Sequence, residues 1–250
     1  MSGSMTRSIV NLLALPCAGA SATMYLRWRR FLPAWIRLLP MELPGRGSRM
    51  AEPFVREFDV LVEWICREYA QAMQGDYVLF GHSMGALLAY GVVLRQRELS
   101  RPLPARLVVS GSSAPDARDP ERFVSRDDET LSADLRKLGG TPEEVLESAE
   151  LRRMALDTLQ ADYAVCDSFR HQAVPPLPMS VHVLAGRCDD IAQHRIYAWR
   201  QEGAGPFTLD WFDGGHFFIR EREQQVLTRL VGLLAQPPSS AGVIDTPSNA

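Results

Sequence analysis

The chain has 250 residues, which fits one large domain or one domain with an insertion. Hydrophobic residues make up 46 % and charged residues 23 %, as in an ordinary soluble globular protein. The net charge of −3, with no tail dense in lysine or arginine, argues against nucleic acid or an anionic membrane as the main partner.

Targeting and redox signals are also weak. Met1–Ser8 lacks the apolar core of a secretory signal, and the apolar run Gly85–Leu94 is about half the ~20 residues that span a bilayer. The cysteines form neither a C-x-x-C pair nor zinc-ligand spacing. They are Cys17, Cys66, Cys166 and Cys188. We expect a cytoplasmic protein with reduced thiols, no bound metal and no membrane segment.

Six short runs rich in leucine and β-branched residues predict strands. They are Ile9–Leu15, Trp35–Met41, Tyr77–Phe80, Arg106–Ser110, Ser180–Ala185 and Phe207–Phe212. Several are almost continuously apolar, as expected of strands that are covered on both faces. Between them, Phe54–Met73 carries apolar residues at helical spacing, and Gly85–Leu99 predicts a more apolar helix. This alternation is typical of an α/β fold with a mostly parallel sheet.

One long stretch breaks the alternation. Residues 116–172 are charged and without a strand pattern, and they predict helices over Ser125–Leu138, from Thr141-Pro142 onward, and over Glu150–Phe169. Ordinary crossover helices are the alternative, but the length favours a helical lid inserted over the sheet. The core is then residues 1–115 and 173–235. Residues 236–250, rich in proline and serine, predict a disordered tail.

The strongest functional signal is Gly81-His82-Ser83-Met84-Gly85, a G-x-S-x-G motif between a predicted strand and a predicted helix. The glycines let strand and helix approach each other, so that the turn raises the Ser83 hydroxyl above the carboxyl end of the sheet. The Met84 backbone N–H lies at a helix N-terminus, where it can stabilise an oxyanion. The alternative is an ordinary glycine-rich turn, but the flanking elements favour a nucleophile.

A serine nucleophile needs a general base, and histidine suits that task. His216 follows the last predicted strand after a Gly-Gly turn, which matches the chain order serine, acid, histidine. His82 points away from Ser83 on a tight turn and is interpreted as structural. His182 lies within a strand, while His171 and His194 lie on helical or loop surface.

The orienting carboxylate is expected just after the fifth predicted strand. Asp189 lies there and is favoured, although Asp190 is adjacent to it. Asp116 is a rival, because some hydrolases take the acid from the loop after the strand that follows the nucleophile helix. Asp213 is interpreted as a turn residue, since it is too close to His216 in the chain to hold its ring.

A second oxyanion donor is expected in the loop Leu15–Ser21, where small residues let backbone N–H groups approach a substrate. Ala18 is the preferred donor, with Cys17 as the alternative. As a nucleophile Cys17 would need a lowered pKa, which nothing nearby suggests, so it is interpreted as a packed thiol.

These motifs together resemble the type II thioesterases, the stand-alone editing enzymes of polyketide and nonribosomal peptide assembly lines. The similar segments are P-x-A-G-x-S at Pro16–Ser21, L-P-G-R-G-x-R at Leu43–Arg49, G-H-S-M-G-A at Gly81–Ala86, G-G-T-P-x-E-V-L at Gly139–Leu146, the lid helix at Leu159–Tyr163, Gly186-x-x-Asp189 and Gly214–Phe217. Two positions depart from the pattern. Asp190 replaces a usual proline, and Gly91 replaces an often larger residue.

The resemblance implies an α/β-hydrolase fold with Ser83, Asp189 and His216 as the catalytic triad. Met84 and Ala18 would be the backbone oxyanion donors, and the helical lid would be flexible. The implied substrates are acyl or aminoacyl groups on the phosphopantetheine arm of carrier proteins. No cofactor and a monomeric enzyme are expected.

Three other functions remain open at this point. A chain-terminating medium-chain acyl-carrier thioesterase would share the triad, and so would a small-molecule carboxylesterase. A non-catalytic binding protein of the same fold is the third. Several arginines could meet an acidic carrier surface, or form a solvated helix face and buried ion pairs instead. They are Arg27, Arg29, Arg30, Arg37, Arg46 and Arg49.

Overall fold

One parallel sheet runs through the residues that the structure, a computed structural model, describes: 8–119, 123, 127–138 and 141–237. Its strands are β1 (Val10–Leu15), β2 (Ile36–Pro40), β3 (Tyr77–His82), β4 (Arg106–Ser110), β5 (Ser180–Gly186) and β6 (Phe207–Phe212). Their order is β2-β1-β3-β4-β5-β6, and all neighbouring pairs are parallel. All six predicted strands are confirmed, with ends that differ by at most two residues.

The strands are apolar on both faces because the sheet separates two hydrophobic clusters. Leu13 and Leu79 point into one cluster, while their chain neighbours Leu12 and Phe80 point into the other. Side chains alternate between the faces of a strand, so a strand with both faces covered reads as a continuous apolar run. Every residue of β3, β4 and β5 is buried, whereas the edge strand β6 is mostly half-buried.

Helices cover both faces of the sheet. They are α1 (Phe58–Glu68), α2 (Met84–Glu98), α3 (Asp128–Leu138), α4 (Glu143–Glu147), α5 (Ala149–Ser168), α6 (Gln193–Tyr197), α7 (Phe218–Glu221) and α8 (Glu223–Ala235). α1 and α2 pack on one face, and α8 packs on the other. Among the described residues, none of the helices is long and apolar enough to span a membrane.

Two local predictions need correction. The helix predicted over Phe54–Met73 begins only at Phe58 and ends at Glu68, because Glu57 is extended and Tyr69 leaves the helical conformation. A 3-10 helix at Ala22–Arg30 was not predicted at all. It buries Ala22, Tyr25 and Trp28, a spacing of three residues that matches a 3-10 helix and not the 3.6-residue period of an α-helix.

The helices α3, α4 and α5 lie between β4 and β5, where the sequence predicts a lid. Their apolar side chains form a separate small cluster, against which Ala18 of the loop after β1 packs. The cluster consists of Leu131, Leu135, Leu146, Leu156, Leu159 and Tyr163. Further along α5, Val165 and Cys166 belong to the large core cluster, so this helix joins the small cluster to the core.

The ends of the lid helices agree with the sequence pattern where they are described. α5 begins and ends one residue before the predicted Glu150–Phe169, and Pro142 caps α4 rather than opening it. The Gly139-Gly140 break and the start at Ser125 lie outside the described residues, as do residues 238–250 of the predicted tail. The division into a core of residues 1–115 and 173–235, a lid of residues 116–172 and a tail stays a prediction.

Gly91 brings α1 and α2 close together. A Cβ atom at this position would lie 2.6 Å from Cζ of Phe58 and 2.8 Å from Cγ2 of Val62. The packing therefore has no room for a larger side chain at position 91 unless Phe58 and Val62 shift.

Candidate active site

Ser83 lies on a strained turn between β3 and α2. Its backbone has φ 54° and ψ −116°, a region that residues with a side chain rarely adopt. The Ser83 N–H donates to the carbonyl oxygen of Ser110 on β4 at 2.8 Å, which fixes the turn against the neighbouring strand. Strain of this kind is typical of functional positions, and it is the conformation that a nucleophile on such a turn requires.

The two glycines of the motif make this turn possible. A Cβ atom at Gly81 would lie 2.0 Å from the carbonyl oxygen of Gly85, and a Cβ atom at Gly85 would lie 2.2 Å from that of Leu15. Both contacts are with backbone, which cannot move aside without breaking the sheet. Met84 is the first residue of α2, so its N–H lies at the positive end of the helix dipole.

His216 and Asp189 form a hydrogen-bonded pair at the same edge of the sheet. Nδ1 of His216 is 2.8 Å from Oδ2 of Asp189, and the side chains are 10 % and 2 % exposed. A carboxylate at this nitrogen fixes one imidazole tautomer and leaves Nε2 for a second partner. Asp189 follows β5 and His216 follows β6, as the sequence predicts.

The loops that carry this pair are packed backbone to backbone. Cys188 N–H donates to the carbonyl oxygen of Gly214 at 2.9 Å, and Arg187 N–H donates to that of Phe212 at 2.9 Å. A Cβ atom at Gly186 would lie 2.4 Å from the carbonyl oxygen of Gly215. Glycine at the end of β5 is therefore what lets the two loops touch.

The other carboxylates considered for the acid lie elsewhere. Asp116 is exposed in the 3-10 turn Pro115–Ala117, and Asp190 is exposed on the loop. The Asp213 side chain is 74 % exposed and lies 3.4 Å from Arg187. Of the carboxylates considered for this role, Asp189 is the one at hydrogen-bond distance from His216.

His82 contributes a contact that the sequence did not indicate. It is fully buried, and its ring centroid lies 5.0 Å from that of His216. Its Nδ1 lies 3.0 Å from the Ser110 hydroxyl, and burial lowers the pKa of His82 well below its ordinary value. The ring before Ser83 in the chain is therefore neutral, and His216 packs against it.

The loop after β1 carries the remaining predicted residues. Ala18 is half-buried and packs against both the core and the lid cluster. Cys17 is buried, and burial raises the pKa of its thiol to about 12. At neutral pH the Cys17 thiol stays protonated, so it is a weak nucleophile.

A small cavity of about 30 Å³ lies at Ser83, roughly the space of one water molecule. Met84 and Leu87 line it from the core, and Phe123 and Cys166 line it from the other side. An acyl group therefore requires some of these side chains to move. A larger cavity of about 630 Å³ between α1, α2 and the segment after α5 includes none of the predicted site residues.

Arg118 also lines the cavity at Ser83, and the sequence did not indicate it. Its guanidinium group lies 5.2 Å from the ring centre of Phe123 and 5.1 Å from that of Phe169, and it donates to the carbonyl oxygen of Cys166 at 2.7 Å. Burial lowers the pKa of Arg118. This arginine joins the loop after β4 to α5.

The arginines considered for a docking surface differ in exposure. Arg27, Arg29 and Arg30 are exposed on the 3-10 helix, and Arg37 is exposed on β2. Arg46 is 6 % exposed and pairs with Asp162, which excludes it from such a surface. Arg49 pairs with Glu52 and Glu68. For Arg46 the alternative of a buried ion pair is therefore correct.

Within residues 8–119, 123, 127–138 and 141–237, no group of three or more histidine, cysteine, aspartate or glutamate side chains is placed to hold a metal ion. The four cysteines are free thiols, of which Cys17, Cys66 and Cys166 are buried and Cys188 is exposed.

Comparison with known proteins identifies the family. The family model of the thioesterase domain matches residues 10–234. Thioesterase PikA5 of Streptomyces venezuelae is 33 % identical, over 97 % of this chain and 88 % of that protein. The structure of the thioesterase RedJ from the prodiginine pathway of Streptomyces coelicolor has a TM-score of 0.85 and 30 % identity, and 90 % of each chain is covered.

A further solved structure is of the type II thioesterase BorB from the borrelidin biosynthetic cluster. It has a TM-score of 0.82 and 34 % identity, over 90 % of this chain and 93 % of that one. The resemblance to type II thioesterases and the α/β-hydrolase fold are both confirmed. This chain is a hydrolase that acts on thioesters, and it belongs to the thioesterase family.

Proposed function

We propose that this enzyme hydrolyses acyl or aminoacyl thioesters on the phosphopantetheine arm of carrier proteins, and so edits stalled or misprimed polyketide or nonribosomal peptide assembly lines. The observation that carries the proposal is the Asp189–His216 pair at the sheet edge where Ser83 lies on its strained turn. The similarity to RedJ and BorB, which come from such biosynthetic pathways, supports the substrate class.

In the proposed first step, Ser83 Oγ attacks the thioester carbonyl carbon and its proton passes to Nε2 of His216. The charge on the tetrahedral oxygen is stabilised by the N–H groups of Met84 and Ala18. Collapse of the intermediate breaks the C–S bond, and the leaving thiolate takes the proton from His216. Asp189 fixes the imidazole tautomer and stabilises the imidazolium.

In the second step, water attacks the acyl group on Ser83. His216 accepts a proton from this water and returns it to Ser83 Oγ as the acyl–oxygen bond breaks. The net reaction consumes one water and yields the free acid and the pantetheine thiol. Because side chains and water complete this balance, the proposal includes no cofactor.

The editing role predicts that acyl groups of different lengths are accepted, with side chains around the cavity at Ser83 moving to admit the longer ones. A series of acyl-carrier substrates from acetyl to decanoyl tests this point. Sharp selectivity for one medium length would favour the chain-terminating thioesterase instead.

Carrier docking is proposed for the exposed arginines Arg27, Arg29 and Arg30, because an acidic carrier surface would complement them. The variant Arg29→Glu/Arg30→Glu should raise KM for acyl-carrier protein and leave KM for the free acyl-pantetheine analogue unchanged. Equal efficiency of the wild type on both substrates would argue against a docking surface. The proposed enzyme is monomeric, which light scattering in solution tests.

The central experiment is a panel of acetyl, acyl and aminoacyl carrier proteins, together with matched simple esters, assayed with the wild type and Ser83→Ala. We expect broad hydrolysis of carrier thioesters, slower hydrolysis of esters, and a loss of at least about 10⁴-fold in kcat for Ser83→Ala. A faster reaction with simple esters would favour a carboxylesterase. Lack of labelling of Ser83 by a fluorophosphonate would favour a binding protein.

A further inference from the structure

We propose that Asp162 of α5 is a positioning residue for the oxyanion site, and that with Arg46 it forms a clamp that fixes the loop carrying Ala18. The inference rests on the proposed function, since it assigns a purpose to the loop from which Ala18 would donate. The clamp is defined as Asp162, Arg46 and the backbone of Gly19 and Ala20.

The clamp brings together three segments that are far apart in the chain. Asp162 Oδ2 accepts the Gly19 N–H at 2.8 Å and Nη1 of Arg46 at 2.6 Å, while Oδ1 accepts Nη2 of Arg46 at 2.6 Å. Nη1 of Arg46 also donates to the carbonyl oxygen of Ala20 at 3.2 Å. This two-bond arginine–carboxylate geometry is the strongest and most directional of such pairs.

Because both charged groups of the clamp are buried, a gain in stability alone does not account for it. Asp162 is fully buried, and Arg46 is 6 % exposed. Desolvation of both charges offsets much of their attraction, so an apolar pair of similar volume is often equally stable. Nε of Arg46 is buried without a hydrogen-bond partner in the described part of the chain. What the ion pair adds is a fixed position for the groups bonded to it.

The clamp also decides which amide groups of the loop are occupied. Gly19 N–H is used by Asp162, and Ala20 N–H donates to the carbonyl oxygen of Cys17 at 3.2 Å. Gly19 has φ 74°, so the chain reverses directly after Ala18. Because Gly19 is held by Asp162, the position of the preceding Ala18 N–H depends on this hydrogen bond.

The lid helix supplies the other end of the clamp. Asp162 lies in α5, and Leu159, one turn earlier, would lie 3.4 Å from a Cβ atom at Gly19. The loop is thus bonded to α5 by the carboxylate and packed against it by an apolar side chain. An oxyanion donor needs placement to within about 0.5 Å, which a free glycine-containing loop does not provide.

Asp162→Asn tests the proposal, because it keeps the side-chain shape and one acceptor while removing the charge. The matched control is Asp210→Asn, which removes the charge from the pair between Asp210 and Arg229 (2.7 Å) on the β6–α8 side of the sheet. With acetyl-N-acetylcysteamine thioester, we expect kcat of Asp162→Asn to fall about 10- to 100-fold with little change in KM. Asp210→Asn should retain wild-type kcat.

A second readout separates positioning from folding. An alkyl trifluoromethyl ketone adds to Ser83 Oγ, whose proton moves to His216, and the adduct carries an oxyanion like that of the intermediate. Its inhibition constant should rise by the same factor by which kcat/KM falls in Asp162→Asn. Loss of stability alone would leave both values unchanged well below the unfolding temperature.

Two outcomes overturn the proposal: wild-type kcat in folded Asp162→Asn, or an equal loss in Asp210→Asn. If Asp162→Asn does not fold, Arg46→Lys takes its place, because lysine keeps the charge and cannot make the two parallel bonds. We then expect the same fall in kcat, and unchanged kcat overturns the clamp. Failure of the proposed function is recognised separately, by a kcat of Ser83→Ala that is close to the wild-type value.

Discussion

The carboxyl edge of the sheet, where the strands end, and the amino edge, where they begin, each place a histidine beside hydroxyl or carboxylate groups. The difference between them supports the carboxyl edge as the proposed active site. At the carboxyl edge, His216 bonds Asp189 at 2.8 Å, near the strained turn of Ser83. At the amino edge, Nε2 of His182 lies 3.0 Å from the Ser180 hydroxyl and Nδ1 lies 2.8 Å from that of Thr208.

The amino edge has a serine and a histidine in contact but lacks the features that activate them. Burial and the nearby charges of Arg106 and Arg229 lower the pKa of His182 to about 4, so an imidazolium is disfavoured there. Ser180 is the first residue of β5 and does not lie on a strained turn. A hydrogen bond between serine and histidine is therefore insufficient. The carboxylate and the turn that presents the hydroxyl distinguish the proposed site.

The largest expected difference between the edges concerns the serines. Ser83→Ala should lower kcat by about 10⁴- to 10⁶-fold, because a covalent route without its nucleophile retains only binding and oxyanion stabilisation. Ser180→Ala should keep kcat close to the wild-type value. Steady-state kinetics and mass spectrometry of the acyl-enzyme measure both. A comparable loss in folded Ser180→Ala would contradict the contrast between the edges.

The carboxylate is the second difference. Asp189→Asn should lower kcat by roughly 10⁴-fold, since an amide would favour the wrong imidazole tautomer. Asp190→Asn makes the same change one residue later, on an exposed side chain, and should leave kcat near the wild-type value. The reverse ranking in kinetic assays would assign the acid to Asp190 instead.

Stability against pH reports on the buried histidines. The pKa of His182 falls from 6.5 to about 4 on folding, so the unfolded chain binds more protons between these values. The contribution of His182 to the free energy of unfolding therefore has its maximum value above pH 6.5. It decreases by up to about 3 kcal/mol as the pH falls towards 4. His82, whose pKa is also lowered, contributes in the same direction.

Urea unfolding at several pH values, with His182→Gln as the comparison, tests this assignment. Glutamine does not titrate, so the variant should lose less stability between pH 6.5 and 4 than the wild type does. Parallel curves for the two proteins would show that the amino edge does not account for the acid sensitivity. The variant should remain active at neutral pH.

The smallest expected effect lies away from both edges and tests whether packing and chemistry are separable. Gly91→Ala should reduce the free energy of unfolding by about 1–3 kcal/mol, because the added methyl group meets Phe58 and Val62. Gly232→Ala on α8, where the methyl group meets nothing within 4 Å, should stabilise by about 0.5–1 kcal/mol. Thermal unfolding measures both. A stabilising effect at position 91 would show that α1 can shift.

Much of this architecture follows from local sequence patterns. The strand Arg106–Ser110 was predicted residue for residue from its apolar centre Leu107–Val109, because strands covered on both faces read as continuous apolar runs. The turn at Ser83 was predictable because its two glycines are within two residues of the serine. Local order in the chain also placed Asp189 and His216 at the ends of adjacent strands.

Contacts between distant segments were not predictable in this way. Arg46 and Asp162 are separated by 116 residues, and neither position shows a local pattern that names the other. The packing of His82 against His216 depends on how closely the loop after β6 approaches the end of β3, which no local pattern in the sequence gives. The 3-10 helix at Ala22–Arg30 was missed because its buried residues are spaced by three, whereas the pattern that predicts a helix is the 3.6-residue period of an α-helix.

The distribution of the four thiols makes the native chain suitable for site-specific labelling. Cys17, Cys66 and Cys166 are buried, and burial raises the pKa of the first two to about 12. Cys188 alone of the four is exposed, and it directly precedes Asp189. A maleimide fluorophore added at neutral pH will therefore attach beside Asp189, the proposed acid. Its emission can report substrate arrival in real time, without any cysteine first being removed.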